Sequence, residues 1–277
     1  MEISRYECPR TLDEAYSLIA KGGLPLGGGC WVHLNAKSAD TVVDLCKLNL
    51  GFIRESGLVD GNDSVEIGAM TTARELETSS LLDTVFHGAF RHATEHLVGV
   101  QLRNLITIGG TVAGRYGFSD LLTLLYALDA RLNFYKGGQM ALGDFLAAAP
   151  KGPFLLESVV VAKNSHVSFQ SLRVTRNDFA VLNAAAAFAA GSWRIAVGAR
   201  PASARLCPQA SLAMQGAGVI PDADDAASRA ALAGAAAGAA KAAAAETVFG
   251  SDTRGSAEYR RLLCETLVRR AIVEAAS

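Results

Sequence analysis

Gln101-Leu102-Arg103-Asn104-Leu105-Ile106-Thr107-Ile108-Gly109-Gly110-Thr111 is the stretch on which the fold turns. A polar run gives way to a short apolar approach that ends in two glycines. Glycines at such a point let backbone N–H groups converge on a phosphate, because no Cβ blocks approach and φ can be positive. The pair fits neither the dinucleotide fingerprint G-x-G-x-x-G nor the P-loop G-x-x-x-x-G-K-S/T. On its own it reads equally as a tight turn between packed strands.

Working outward, Ser119-Asp120 caps an apolar helix running through Leu128. About 75 residues before Gln101, Leu24-Pro25-Leu26 runs into Gly27-Gly28-Gly29, followed by Cys30-Trp31-Val32. Thr11-Leu12-Asp13-Glu14 is a capping box that opens a helix stopped by Gly22 and Gly23. Thr41–Leu45, Val65–Ala69, Arg131–Tyr135 and Ser158–Val161 read as strands, Thr71–Leu76 opens a helix, and residues 81–98 read as one longer helix. Asp222–Glu246 is dominated by alanine and reads as one helix entered at Pro221 and interrupted at Gly234 and Gly238. The last helix, Ser256–Val273, places Tyr259, Leu262, Leu263, Leu267 and Ile272 on one face. A boundary falls near Ala162–Val167.

The glycine loops, taken with their order, resemble the flavin-binding subunit of the xanthine dehydrogenase and carbon monoxide dehydrogenase type, a molybdenum hydroxylase family. Its first loop is similar to (A/G)GGT-D-L, its second to Q-x-R-N-x-A-T-I-G-G-N, followed by S-P-x-x-D. Further along, Thr175–Asn183 resembles R-R-x-x-D-I-A-x-V-N, Arg194–Gly198 resembles R-I-A-L-G, and Ser256–Arg261 matches S-A-E-Y-R-R.

The resemblance implies an α+β fold. A two-lobed FAD-binding domain of the PCMH and vanillyl-alcohol-oxidase type (residues 1–162, lobes about 1–55 and 56–162) would precede a smaller α+β C-terminal domain with a three-stranded sheet (163–277). It implies FAD held by Pro25, Leu26, Gly27, Gly28, Gly29, Cys30, Trp31 and Val32 in the first loop. The second loop would supply Thr107, Ile108, Gly109, Gly110 and Thr111. Asp120 would hydrogen-bond the flavin, Leu156 would pack on its ring, and Gln170 would stand where a basic residue commonly touches the cofactor. Here Cys30-Trp31 replaces the usual Thr-Asp, Thr111 the usual asparagine, and Gln170 a cation. No side chain is expected to act as nucleophile or general base. The molybdenum cofactor and [2Fe-2S] clusters are expected on a large and a small partner subunit, with NAD+ or another molecule as electron acceptor. A flavin-free scaffolding subunit of such a complex is the alternative.

Composition sets the limits. The chain has 277 residues, 50% hydrophobic and 19% charged, with 27 glycines and a net charge of -1. That favours a compact two-domain protein and disfavours nucleic acid and anionic membranes as partners. The N-terminus carries no secretory pattern and no window is long and apolar enough to span a bilayer, so a cytoplasmic location is expected. The five cysteines (Cys8, Cys30, Cys46, Cys207, Cys264) show no zinc-knuckle or iron–sulfur spacing and read as small packing residues. His92-Ala93-Thr94-Glu95-His96 spells H-x-x-E-H, which on a helix could share a metal if a third ligand stood nearby. A solvated helix face is the simpler reading. His33 and His87 read as structural or surface residues, Arg173, Arg176 and Asp178 as a salt-bridged strand end, and Arg260, Arg261, Arg269 and Arg270 as helix-end and surface charges.

Overall fold

A computed structural model describes residues 3–30, 32, 39–59, 61–164, 166–222 and 225–277. The chain opens with strand β1 (Ile3–Glu7), helix α1 (Leu12–Ala20), and strands β2 (Leu24–Leu26) and β3 (Ala39–Asp44). Helix α1 starts where Thr11 accepts a hydrogen bond from the Glu14 amide at 3.2 Å and Glu14 reaches back to the Arg10 amide at 3.0 Å. Gly22, at φ +93, ends it. The three strands form a parallel sheet in the order β1-β3-β2. Ala15, Ile19, Val43, Leu45, Leu48, Leu50 and Leu155 bury together beneath it.

Next come β4 (Ile53–Val59), β5 (Asn62–Gly68), α2 (Ala73–Thr78), α3 (Ser80–Val85), α4 (Ala89–Thr94), α5 (Val100–Arg103), α6 (Ile108–Gly114), α7 (Asp120–Ala127), β6 (Arg131–Phe134), β7 (Gly138–Ala141), α8 (Leu142–Ala147) and β8 (Leu156–Ala162). The strands make one antiparallel sheet, β4-β5-β8-β6-β7. The helix expected over 81–98 is instead α3 and α4. His87 (φ 45) and Gly88 (φ 77) lie between them in left-handed conformations that no helix continues through.

The C-terminal part carries β9 (Val167–Leu172), β10 (Leu182–Ala189), β11 (Ser192–Gly198), a two-residue β12 (Arg205–Leu206), and helices α9 (Pro208–Gly216), α10 (Ala226–Glu246) and α11 (Ala257–Ala275). Three long antiparallel strands, extended by β12, form the sheet. The architecture is thus α+β. Helix α10 begins at Ala226, where Asp225 accepts from the Ser228 amide at 2.9 Å, and runs through Gly234 and Gly238 unbroken. Its buried residues, Ala236, Ala239, Ala240, Ala243 and Ala244, recur at helical spacing, so packing outweighs the roughly 1 kcal/mol cost of each glycine.

Helix α11 departs from its expected face. Tyr259 and Leu262 are exposed, while Cys264, Leu267, Val268, Ala271, Ile272 and Ala275 are buried. Arg260, expected at the surface, is fully buried. It donates to the carbonyls of Val181 (2.8 Å), Gly250 (2.9 Å) and Gly255, and to Asp252 (2.5 Å). Four acceptors satisfy a charge that burial would otherwise penalise heavily.

By contacts the chain forms two compact units that cut across a simple N-to-C division. One comprises Met1–Leu76, Gly99–Gly114 and Asp129–Ala162; the other comprises Glu77–Val98, Arg115–Leu128 and Lys163–Ser277.

Candidate functional site

Within the first unit the two glycine loops meet backbone to backbone. A Cβ on Gly28 would lie 1.5 Å from the Leu105 carbonyl oxygen, and one on Gly27 would lie 2.7 Å from the Thr107 hydroxyl. No side chain fits at Gly28. The Cys30 thiol donates to the Leu102 carbonyl at 3.7 Å, a further tie between the loops, and burial pushes that thiol's pKa up. Gly29 adopts φ +78, and Leu45 fixes the strand before the loop by donating its amide to Leu26 at 3.0 Å.

The amides of Ile108 to Thr111, which open helix α6, are all engaged within the protein. Ile108 donates to Thr71 (2.9 Å), Gly109 to Ala69 (2.8 Å), Gly110 to the Thr107 hydroxyl (3.1 Å), and Thr111 to the Thr107 carbonyl (3.0 Å). Gly109 is needed there because a Cβ would sit 2.6 Å from the Ala69 oxygen. The amides of Gly27, Gly28 and Gly29, by contrast, donate to no other described residue. One polar side-chain atom of the second loop is left over: the Thr111 hydroxyl is buried with no partner. Pro25, Gly27, Thr107, Gly109, Gly110, Leu155 and Leu156 line one cleft between these elements. Of the loop residues singled out in the sequence, Pro25, Gly27, Thr107, Gly109 and Gly110 share that cleft with Leu156. Val32 is half-buried beyond the first loop, and Trp31 and His33 lie outside the described residues.

Asp120 and Gln170 belong to the second unit. Asp120 is fully buried, and both of its oxygens are engaged: Arg173 donates to one at 2.7 Å and Asn183 to the other at 2.6 Å. Burial raises its carboxyl pKa, while the Arg173 charge and hydrogen bond and the Asn183 amide work against that rise. Thr123 donates to Asn183 at 2.8 Å, and Gly198 makes the room, since a Cβ there would lie 2.0 Å from the Thr123 hydroxyl. Gln170 pairs in register with Ala184, whereas Asn183 pairs with Ser171. Gln170 thus faces the opposite side of the sheet from Asp120, where its amide donates to Glu274 and, at 3.4 Å, to Ser168. The structure does not bring Gln170 to Asp120. Arg173 and Asn183 were not singled out as Asp120's partners from sequence, although the R-R-x-x-D-I-A-x-V-N resemblance spans both.

The H-x-x-E-H residues gather no metal set. His96 lies 3.9 Å from Glu95, helix α4 stops at Thr94, and among the described residues neither histidine joins a cluster of three candidate ligands. No described helix is long and apolar enough to cross a membrane.

A glycine loop at the end of a parallel-sheet strand, a second glycine run opening a helix, and Leu156 from the antiparallel sheet line one cleft, the scaffold of a flavin-binding domain. The chain belongs to the family of FAD-binding domains in molybdopterin dehydrogenases, which it matches over residues 2–162, and residues 167–275 match the CO dehydrogenase flavoprotein C-terminal domain. Among its relatives, the nicotine 6-hydroxylase medium subunit of Paenarthrobacter nicotinovorans is 23% identical over 290 residues, covering 98% of this chain and 96% of that protein. The uncharacterised protein YgfM of Escherichia coli K12 is 31% identical over 116 residues, 42% of either chain, so the match spans less than half of that relative. In structure, a carbon monoxide dehydrogenase chain from Hydrogenophaga pseudoflava superposes with a TM-score of 0.81 at 22% identity, over 98% of this chain and 96% of that one. Quinoline 2-oxidoreductase from Pseudomonas putida 86 gives 0.80, also at 22% identity, over 98% and 96%. These superpositions establish the fold.

Proposed function

We propose that this chain is the FAD-carrying subunit of a multi-subunit molybdenum hydroxylase. It would receive electrons released at a molybdenum centre on a large partner and relayed by [2Fe-2S] clusters on a small one, then deliver them to NAD+ or another acceptor. One observation carries the reading. The loops meet without room for a side chain, and beside them stand a buried hydroxyl with no partner and three glycine amides that donate to no other described residue.

Those donors suit an anionic pyrophosphate. The Gly27–Gly29 amides would point backbone donors at it, and the Thr111 hydroxyl would supply the hydrogen bond that it makes to nothing else. Leu156 and Leu155 would cover the apolar ring and keep water from it. FAD, when bound, supplies the capacity to take electrons singly and give them up in pairs. The chain's own part is to bind, orient and shield. The Asp120–Arg173–Asn183 network is proposed to stiffen the second unit, and each Asp120 oxygen, accepting one hydrogen bond, keeps a lone pair for a further donor.

Reconstitution tests this directly. The full chain mixed with FAD and desalted should retain about one flavin with an oxidised-flavin spectrum, and purification from the native source should bring a molybdenum subunit and an iron–sulfur subunit with it. A colourless protein that takes up no FAD, yet still copurifies with those partners, would leave the scaffolding role in its place.

A further inference from the structure

Strands β1 and β3 run parallel and in register, Glu7 opposite Val43, so their C-terminal ends open onto the same edge of the molecule. Cys8 follows the first strand, Asp44 ends the second, and Cys46 stands two residues beyond. Their ligand atoms lie within 4.8 Å of one another, the sole such trio among the described residues. The Cys8 and Cys46 sulfurs are 3.6 Å apart. Two thiolates on one tetrahedral zinc, each about 2.3 Å from the metal, are separated by about 3.8 Å. A disulfide needs about 2.05 Å. The observed spacing accommodates a shared metal and is too long for a disulfide.

The carboxylate is held for the purpose. Asp44 accepts the Cys46 amide at 2.9 Å and the Tyr6 hydroxyl on its other oxygen, so outer hydrogen bonds fix its orientation as they do for ligands of known metal sites. Leu45, between Asp44 and Cys46, is buried and bonded to Leu26, which anchors the turn that carries both. Cys207 and Cys264 are buried packing residues by contrast. We propose that Cys8, Cys46 and Asp44 form a surface binding site for a thiophilic divalent cation, with zinc as the fitting ion. Two soft thiolates and one hard carboxylate suit zinc over magnesium or calcium, and three protein ligands leave a fourth position for water or an added donor.

The test uses the full chain, freed of metal with a chelator and kept under a phosphine reductant so that no disulfide forms. Zinc is titrated against a chromophoric chelator, and bound metal is counted after gel filtration. The expected result is one zinc per chain. Cys46→Ser, at an exposed position, should weaken binding by more than about 100-fold, beyond the roughly 10–100-fold typical of losing an outer-shell partner, and Tyr6→Phe should weaken it by about 10-fold. Circular dichroism should show both variants folded. No zinc retained by the reduced wild-type chain, or zinc retained by Cys46→Ser and Cys8→Ser as tightly as by the wild type, would overturn the proposal.

Discussion

Thr111 and Asp120 are both buried polar residues, and they are satisfied in opposite ways. Asp120 has a charged partner and an amide; the Thr111 hydroxyl has none. Thr111→Val should therefore leave the FAD-free chain as stable as before or about 1 kcal/mol more stable, because it removes an unpaired buried group. Its FAD affinity should fall by about 10-fold, the equivalent of one lost hydrogen bond. Chemical denaturation and flavin titration separate the two effects, and unchanged affinity would remove Thr111 from the site. Asp120→Ala should cost about 3–5 kcal/mol, since it strands Arg173, whose side chain is only 6% exposed. Asp252 gives a pH signature. Burial alone would raise its carboxyl pKa, but the Arg260 hydrogen bond and charge, with the Arg254 amide and charge, together outweigh this and hold it below the ordinary value. A lowered folded-state pKa stabilises the protein fully above the unfolded value of about 4, and the gain is lost as pH falls through the folded value. The melting-temperature gap between wild type and Asp252→Asn should be constant above about pH 5 and shrink below about pH 4.

At the scale of elements, the glycine loops make the sharpest prediction. Gly28→Ala puts a methyl group 1.5 Å from the Leu105 oxygen, so the loops must part, and FAD content should drop to near zero. Gly29→Ala meets only Leu26, at 3.6 Å, and pays about 1–2 kcal/mol for its positive φ, so it should keep most of its flavin. Flavin absorbance per protein after desalting distinguishes them; equal retention would show that the loop contact is irrelevant to binding. Much of this level was legible in the sequence. Thr11 and Ser119 cap the helices their hydroxyls announced, and the β-branched runs at Val65 and Val159 pair in one sheet. What stayed hidden depended on partners far along the chain. The face of α11 is built by Cys264, Ala271 and Ala275, small residues that hydropathy ranks below the exposed Leu262. Arg260 reads as a surface charge until the carbonyls of Val181, Gly250 and Gly255 are seen around it. Cys8 and Cys46 meet only because two parallel strands end together, which no local spacing reveals. The second glycine run reads as a loop, but Ile108, Gly109, Gly110 and Thr111 open helix α6, whose first turn and the neighbouring Ala69 and Thr71 carbonyls take up their amides.

For the whole molecule, ligand linkage gives a prediction independent of any variant. If only the folded chain binds FAD, a hundredfold excess over Kd should add about 2.7 kcal/mol of stability. Melting temperature should rise with FAD concentration, and a flat response would count against a cofactor site. The two compact units also bear on how the chain can be divided. A fragment cut at residue 163 would lack residues 77–98 and 115–128 of its own unit. It should not fold by itself, as judged by near-ultraviolet circular dichroism, whereas a sharp cooperative melt would contradict that.

The same interleaving sets an order of events on the ribosome. Asp120 is made 63 residues before Asn183, and 53 before Arg173. At about 5–20 residues per second, its helix emerges several seconds before the strands that neutralise it exist. Through that interval a helix whose residues 121–125 are all destined for burial stands exposed to water or to chaperones. Nascent chains paused between residues 128 and 163 should therefore be the most prone to capture and aggregation, a vulnerability of synthesis and not of the finished protein.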